Sequence, residues 1–460
     1  MAKSDTVNFK LPSGFTELLP GEKRLENYLL DTIRQVYERY GFAPIETPAV
    51  ERLEVLQAKG NQGDNIIYGV NPIVPADQVD NEDARSDNRG LKFDQTVPLA
   101  AYIARNRNNL VFPFARYQMD MVFRGERAKK GRYRQFRQCD IDVVGRNKLS
   151  LLYDAQMPAI INEIFSRLDI GNFLIRISNR KVLSGLIQSV GIAPEQVKFC
   201  ISVVDALEKI GAKKVTAALL EEGISEAQAA DLLKFTQLQG DATAILQELS
   251  AQADASELPD FKLGVSELTQ VIQSIQRLGV PAERYCIDLA IARGLDYYTG
   301  TVYETTLLGY ESLGSICSGG RYEELVGMFA GEKMPGVGLS IGLTRLMRCL
   351  VDAKLLEPLP PSPAQVMVVN LQSDFMDLYL EISQVLRQAG VNVLTSFSEK
   401  QTGKQIQQAD KQGIPLCVFI GESEKAAGSC RLKNLKSGEQ VEVQQSELVG
   451  AVQQQLELQR

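Results

Sequence analysis

The sequence predicts a mixed α and β chain with a β-hairpin, a mostly helical stretch and a small α/β domain at its end, and three observations predict it. Residues 122–145 alternate polar and apolar positions on either side of a basic tip, the pattern of a β-hairpin. Residues 191–280 are dominated by Ala, Leu, Glu and Gln, the composition of a run of helices. After the proline-rich 355–363, short apolar runs alternate with helical periods to the end of the chain, which reads as a small domain with a largely parallel sheet. A length of 460 residues is too great for one ordinary core and fits two or three.

Composition excludes several functions. Hydrophobic residues at 44% and charged residues at 23% are globular values, so a disordered or fibrous chain is excluded. A formal charge of -7 argues against a general nucleic-acid coat but leaves room for a local basic groove. No apolar run reaches membrane-spanning length and the N-terminus has no apolar signal core, so the chain reads as soluble and cytoplasmic, without a membrane partner. The seven cysteines are scattered, odd in number and never spaced C-x-x-C, which suits reduced, buried thiols and gives no zinc framework. The chain has no histidine. No imidazole can serve as base, nucleophile or metal ligand, and catalysis falls to carboxylates, Arg, Lys, backbone and substrate groups.

Taken in order, a loop at 12–21 leads into a helix at about 22–40, with Leu25, Tyr28, Leu29, Ile33, Val36 and Tyr37 at helical spacing, ending at Gly41. Residues 42–50 read as a short strand, with Pro44 and Pro48 placing it at an edge or interface. Residues 60–90 are polar, rich in Asn, Asp and Gly, and read as a surface loop. Asp94 and Thr96 share a face before Pro98, either as turn chemistry or as a polar pair for a ligand. In the hairpin, Phe136, Gln138, Asp140 and Asp142 alternate onto one face of the return arm, and polar groups there need partners if buried. A solvated amphipathic hairpin and a ligand-binding one both fit that pattern. A helix at 151–168 and a strand at 175–180 follow, and loops near 222–226 and 252–263 break the helical stretch.

Five ordered blocks carry a resemblance. Phe123-Arg-Gly-Glu-Arg127, then Gly131-Arg-Tyr-Arg-Gln-Phe-Arg-Gln138, resembles motif 2 of the class II aminoacyl-tRNA synthetases in its histidyl form. The helix, glycine, strand and proline of 22–50 resemble motif 1, the dimer-forming element. Arg293-Gly-Leu-Asp-Tyr-Tyr298 and Ser318-Gly-Gly-Arg-Tyr322 resemble the two histidine-specific motifs, and Gly336 to Arg345 resembles motif 3, with Thr344 where the family commonly has glutamate. Residues 404–415 and 420–422 are similar to the family's C-terminal anticodon-binding domain.

The resemblance implies a mainly antiparallel class II synthetase sheet and a histidine–tRNA ligase using ATP and Mg2+. Its implied domains are a catalytic domain in two parts, 1–190 and 281–353, a helical insertion at 191–280, a linker at 354–364 and an anticodon-binding domain at 365–460. It implies catalytic roles for Arg124, Arg293 and Arg345 and histidine binding by Asp94, Thr96, Gln138, Asp142, Tyr297, Tyr298 and Tyr322. It also implies ATP contacts from Arg124, Glu126, Arg132, Phe136 and Arg345, and tRNA(His) contacts from Arg127, Lys129, Lys130 and Arg134 in a homodimer. Arginine suits the oxyanion roles because its fork binds bidentately and stays charged. The competing expectation is a non-catalytic, histidine-sensing regulatory subunit of ATP phosphoribosyltransferase, a paralogue that usually lacks the anticodon domain.

Overall fold

The computed structural model describes residues 9–58, 66–71, 88–127, 131–238, 240–291, 298–398 and 400–458. The chain divides into two units: the described residues up to Thr16 with Tyr28–Leu356, and Glu17–Asn27 with Glu357–Arg460.

In the first unit the strands run β1 (Ala43–Pro44), β2 (Val50–Arg52), β3 (Arg89–Leu91), β4 (Phe114–Phe123), β5 (Gln135–Val144), β6 (Phe173–Asn179), β7 (Tyr285–Ile287), β8 (Tyr298–Leu307), β9 (Cys317–Tyr322) and β10 (Gly336–Ile341). Eight of them form one sheet in the order β1-β4-β5-β10-β9-β8-β6-β7. Its inner pairings are antiparallel, and the two edge pairings, β1 on β4 and β7 on β6, are parallel. This is the mainly antiparallel sheet expected. The strand expected at 42–50 is shorter: Pro44 and Pro48 lack the N–H a ladder needs, so pairing stops at Ala43–Pro44 and Val50–Arg52 joins β3 in a separate ribbon. Of the loop expected at 60–90, residues 60–65 and 72–87 lie outside the described residues.

One face of this sheet is covered by helix Leu152–Arg167, whose inward stripe includes Ile160, Ile161, Ile164 and Phe165. Helix Pro20–Arg39 also reaches that face, where the Tyr37 hydroxyl donates to the carbonyl of Cys139 at 3.1 Å. Helices from Pro194–Asp205 to Pro259–Arg277 make up the helical stretch expected at 191–280, and helix Arg180–Ser189 before it shares their core of Leu183, Ile187, Val204, Leu219 and Leu232. The break expected at 252–263 shrinks to 256–258, because helix Ala242–Ala255 runs on and Pro259 starts the next helix at a position that needs no N–H.

In the second unit β11 (Val366–Val368), β12 (Val393–Thr395), β13 (Leu416–Phe419), β14 (Ser429–Asn434) and β15 (Gln440–Gln444) pair in the order β12-β11-β13-β14-β15. The first three are parallel and the last two an antiparallel hairpin, so the sheet is mixed. Alternate residues feed two layers: Val366, Val368, Leu416 and Val418 on one side, Met367, Cys417 and Phe419 on the other. The proline-rich segment is tied to residues 17–27: Arg24 Nη1 donates to the carbonyls of Pro360 and Ser362, and Leu359 N–H to Gly21.

Candidate active site

Strand β5 is the axis of the site. Residues paired across neighbouring strands project to the same side, so the register sets rows across the sheet's free face. Phe114, Val144, Gly336, Tyr322 and Tyr298 make one row, and Arg116, Asp142, Gly338, Gly320 and Val302 the next. Gln118, Asp140, Ser340, Ser318 and Glu304 make a third, followed by Asp120 with Gln138. A buried sheet face is ordinarily apolar. This one carries a polar floor whose groups must find partners.

Asp142 lies at its centre and is 4% exposed. Arg116 Nη2 donates to its Oδ2, and the Tyr322 hydroxyl donates to its Oδ1 at 2.9 Å. Burial pushes this carboxyl up to about 6, against the pull of Arg116 and the Tyr322 hydrogen bond. One row away, burial pushes Asp140 up to about 7, opposed by Arg116 and by a hydrogen bond from Ser340. Ser340 Oγ also accepts from Gln138 Nε2 at 2.8 Å, so Gln138, Ser340 and Asp140 form a chain. Burial raises the Tyr322 phenol well above its ordinary value, which keeps it a donor.

Two motif 3 glycines make room for these groups. A Cβ on Gly338 would lie 2.1 Å from Asp142 Oδ1, and one on Gly336 would lie 2.4 Å from the Tyr322 ring. Neither position tolerates a side chain without displacing a floor group. At the rim, Asp94 Oδ1 accepts the Val97 N–H at 3.1 Å and so holds the start of helix Thr96–Asn106, whose first residue is Thr96. That helix packs through Leu99, Ala100 and Ile103 against Val144 and Tyr322.

The hairpin base carries the cations. Arg124 Nε donates to the carbonyl of Phe93 at 3.1 Å, and its guanidinium lies over the Phe136 ring, 4.9 Å from the centroid. Glu126 accepts through its carbonyl from Arg134 Nε at 3.1 Å. Arg134 also reaches the carbonyl of Ser13 at 3.2 Å, so this side chain, grouped by its sequence neighbours with the tRNA contacts, braces the hairpin base. Arg127 and Arg132 are exposed. Arg345 is exposed in the first turn of helix Leu343–Asp352 and donates to the carbonyl of Leu313. Beside it, Thr344 is 7% exposed and its Oγ1 accepts the Arg137 N–H at 2.9 Å, which ties the helix start to β5.

The structure therefore brings Asp94, Thr96, Gln138, Asp142, Tyr298 and Tyr322 to the floor and rim, and Arg124, Glu126 and Phe136 to the hairpin base. Arg293, Tyr297, Lys129 and Lys130 lie outside the described residues. Sequence reasoning missed Arg116 and gave Asp140 no role. The available signal was the alternation of Arg116, Gln118 and Asp120 along β4. It also missed the buried Lys92, whose Nζ donates to Asp120 Oδ2 and to the carbonyl of Thr47 at 3.0 Å. Burial alone would raise Asp120, but that hydrogen bond helps hold it below its ordinary value.

A mainly antiparallel sheet with one polar face, a glycine-cleared floor and cations at its hairpin end is the catalytic fold of a class II aminoacyl-tRNA synthetase. Comparison with known proteins narrows the class. The family model described as histidyl-tRNA synthetase matches residues 14–346, and that described as anticodon binding domain matches 365–455. The histidine–tRNA ligase of Trichormus variabilis is 64% identical over 461 residues, 99% of this chain and 100% of its own. That of Stenotrophomonas maltophilia is 43% identical over 455 residues, 97% of this chain and 98% of its own. The crystal structure of histidyl-tRNA synthetase from Nostoc sp. PCC 7120 matches with a TM-score of 0.91 at 62% identity, covering 98% of this chain and 100% of that one. The chain belongs to the histidyl-tRNA synthetase family.

Proposed function

We propose that the polar floor holds histidine and the hairpin cations hold ATP while the chain activates histidine and passes it to tRNA(His). The ligase activity follows from family membership at full-length identity: the chain is an aminoacyl-tRNA ligase acting on histidine. In the first step the histidine carboxylate attacks the α-phosphate of ATP, a carboxylate–phosphorus bond forms, and pyrophosphate leaves. Both reactants are anions, so fixed cations are needed. Arg124 serves the α-phosphate, Arg293 bridges carboxylate and α-phosphate, and Arg345 serves the γ-phosphate, with Phe136, Glu126 and Arg132 completing the nucleotide contacts. Asp94, Thr96 and Gln138 take the ammonium group, and Asp142, Tyr297, Tyr298 and Tyr322 take the imidazole. In the second step the terminal ribose hydroxyl of tRNA attacks the mixed anhydride, and the departing phosphate accepts the proton. No enzyme imidazole is required, which agrees with a chain that has none.

The observation that carries this reading is the buried Asp142 with donors on both oxygens beside a glycine-cleared space, since a site built of paired polar groups rejects ligands that leave them unpaired. Residues 365–460 read the anticodon, 191–280 form the insertion between the two parts of the catalytic domain, and Arg127, Lys129, Lys130 and Arg134 belong to the tRNA-facing hairpin. The protein works in the cytoplasm as a homodimer. Magnesium enters with ATP. Among the described residues no group of three His, Cys, Asp or Glu side chains is placed to hold a metal, and Thr344 stands at the family's glutamate, so a protein-built magnesium cage does not fit them. A protein entitled ATP phosphoribosyltransferase regulatory subunit/histidyl-tRNA synthetase, from Bacillus halodurans C, shares the fold at 17% identity and a TM-score of 0.71. The 64% full-length identity to ligases favours the enzyme over that regulatory alternative.

Histidine-dependent exchange of pyrophosphate into ATP tests the reading. Wild-type protein should exchange with histidine and not with other amino acids, and Arg293→Ala should abolish exchange without unfolding. Folded protein that fails to exchange would overturn it.

A further inference from the structure

We propose that Arg116 is a positioning residue for histidine selection: it keeps the Asp142 carboxylate ionised and fixed in orientation, so that Asp142 accepts an N–H of the substrate imidazole. This rests on the assignment of Asp142 to the imidazole.

The geometry comes from the register. Arg116 in β4 and Asp142 in β5 are directly paired, and the arginine side chain is 0% exposed. It donates through Nη2 to Oδ2, while the Tyr322 hydroxyl from β9 donates to Oδ1. Each oxygen of an ionised carboxylate accepts two hydrogen bonds, so each keeps one acceptor position, and Gly338 on the neighbouring strand leaves the carboxylate its room, since a Cβ there would lie 2.1 Å from Oδ1. The groups around Asp142 are Arg116 from β4, Asp140 from β5, Tyr322 from β9 with Tyr298 beside it from β8, and Asp94 from the rim. Two of them are carboxylates, and Arg116 is the cation acting on both Asp140 and Asp142. Without it burial would leave Asp142 neutral, and its hydroxyl would offer a proton where the imidazole N–H needs an acceptor. Arg116 Nε and Nη1 are buried with no hydrogen-bond partner among the described residues.

The test is pyrophosphate exchange between about pH 6 and 9, with KM for histidine, KM for ATP and kcat measured separately. Arg116→Met should raise KM for histidine about ten- to a hundredfold, the loss expected of a charge-assisted hydrogen bond, with KM for ATP little changed. It should also move the acid limb of kcat/KM for histidine about one unit to higher pH, because Asp142 loses its cation. The substrate's own imidazole titrates identically in every variant and cancels in the comparison. Arg116→Lys keeps the charge, so its limb should stay while KM rises several-fold. On an Asp142→Asn background, Arg116→Met should shift no limb. An Arg116→Met enzyme with wild-type limb and wild-type KM for histidine overturns the proposal. Should that variant not fold, Arg116→Lys decides, and an unchanged KM for histidine overturns it equally. If Asp142→Asn itself leaves KM for histidine unchanged, the imidazole assignment has failed instead.

Discussion

Two buried arginines face opposite sides of the same sheet, each against one aspartate, and they are bonded differently. Arg321 in β9 donates through Nε to both oxygens of Asp154 at 3.0 and 3.2 Å and through Nη2 to Oδ2 at 2.6 Å. Its Nη2 also reaches the carbonyls of Leu149 and Ser150, and Asp154 is fixed again where the Tyr303 hydroxyl takes its carbonyl at 2.7 Å. That pair bolts helix Leu152–Arg167 to the sheet. Arg116 on the other face donates through Nη2 to Asp142 Oδ2, and its Nε and Nη1 have no hydrogen-bond partner among the described residues. Closed geometry serves folding, whereas open geometry leaves capacity for a ligand. Adjacent residues of one motif divide the work: Arg321 points to the closed pair and Tyr322 to the open one.

The comparison predicts a large effect from breaking the closed pair. Arg321→Leu leaves Asp154 buried without its cation, which should cost about 3–5 kcal/mol of stability. Urea unfolding reads it, and the folded fraction should keep its KM for histidine. A variant that unfolds normally but loses histidine would reverse the assignment of the two faces.

A smaller effect concerns charge on the open face. Burial raises Asp140 to about 7 from an ordinary value of 3.8. The folded protein therefore holds that proton more tightly than the unfolded chain does. The resulting stabilisation is complete below about pH 4 and is lost as pH rises through about 7. Asp140→Asn should flatten this component and gain about 2–4 kcal/mol over wild type at pH 8. Thermal unfolding from pH 4 to 8 measures the difference, and a parallel offset with no change of slope would contradict it.

Much of the site was legible because its requirements are local. Alternating polar residues put Gln138 and Asp142 on one face before any pairing was known, and the resemblance of the motifs added Tyr322. Arg116 was missed because its partner lies in the next strand: the alternation of Arg116, Gln118 and Asp120 along β4 marks a polar face without naming what it pairs with. The basic run around Arg134 did not announce its other partners: its head also reaches the carbonyls of Glu126 and Ser13. At the fold level the composition of 191–280 marked helices correctly, but the break at 252–263 was too wide because Pro259 opens a helix as readily as it ends one.

Gly338→Ala tests whether the open pair needs its space. The added methyl would sit 2.1 Å from Asp142 Oδ1 and 2.5 Å from the carbonyl of Ile141, and that second atom is backbone, so the strand cannot give way cheaply. Forcing Asp142 off its donors should cost about 1–3 kcal/mol. The loss should fall on histidine affinity more than on ATP, and titration calorimetry with histidine alone measures it. Unchanged affinity would mean that the floor repacks around the methyl.

The smallest effect should come from Thr344, where family expectation and structure part company. The family's glutamate is absent, and what replaces it is a buried hydroxyl that accepts the Arg137 N–H at 2.9 Å. Thr344→Val keeps the volume and deletes the acceptor, so one backbone N–H at the end of β5 loses its partner, at a cost of about 1 kcal/mol. Because Thr344 adjoins Arg345 in the first helical turn, the same loosening should raise KM for ATP about threefold and leave KM for histidine alone. A stability loss with KM for ATP unchanged would make the hydroxyl a fastening and nothing more. The two constants moving apart would show that the helix start must be held to β5 for Arg345 to meet the nucleotide.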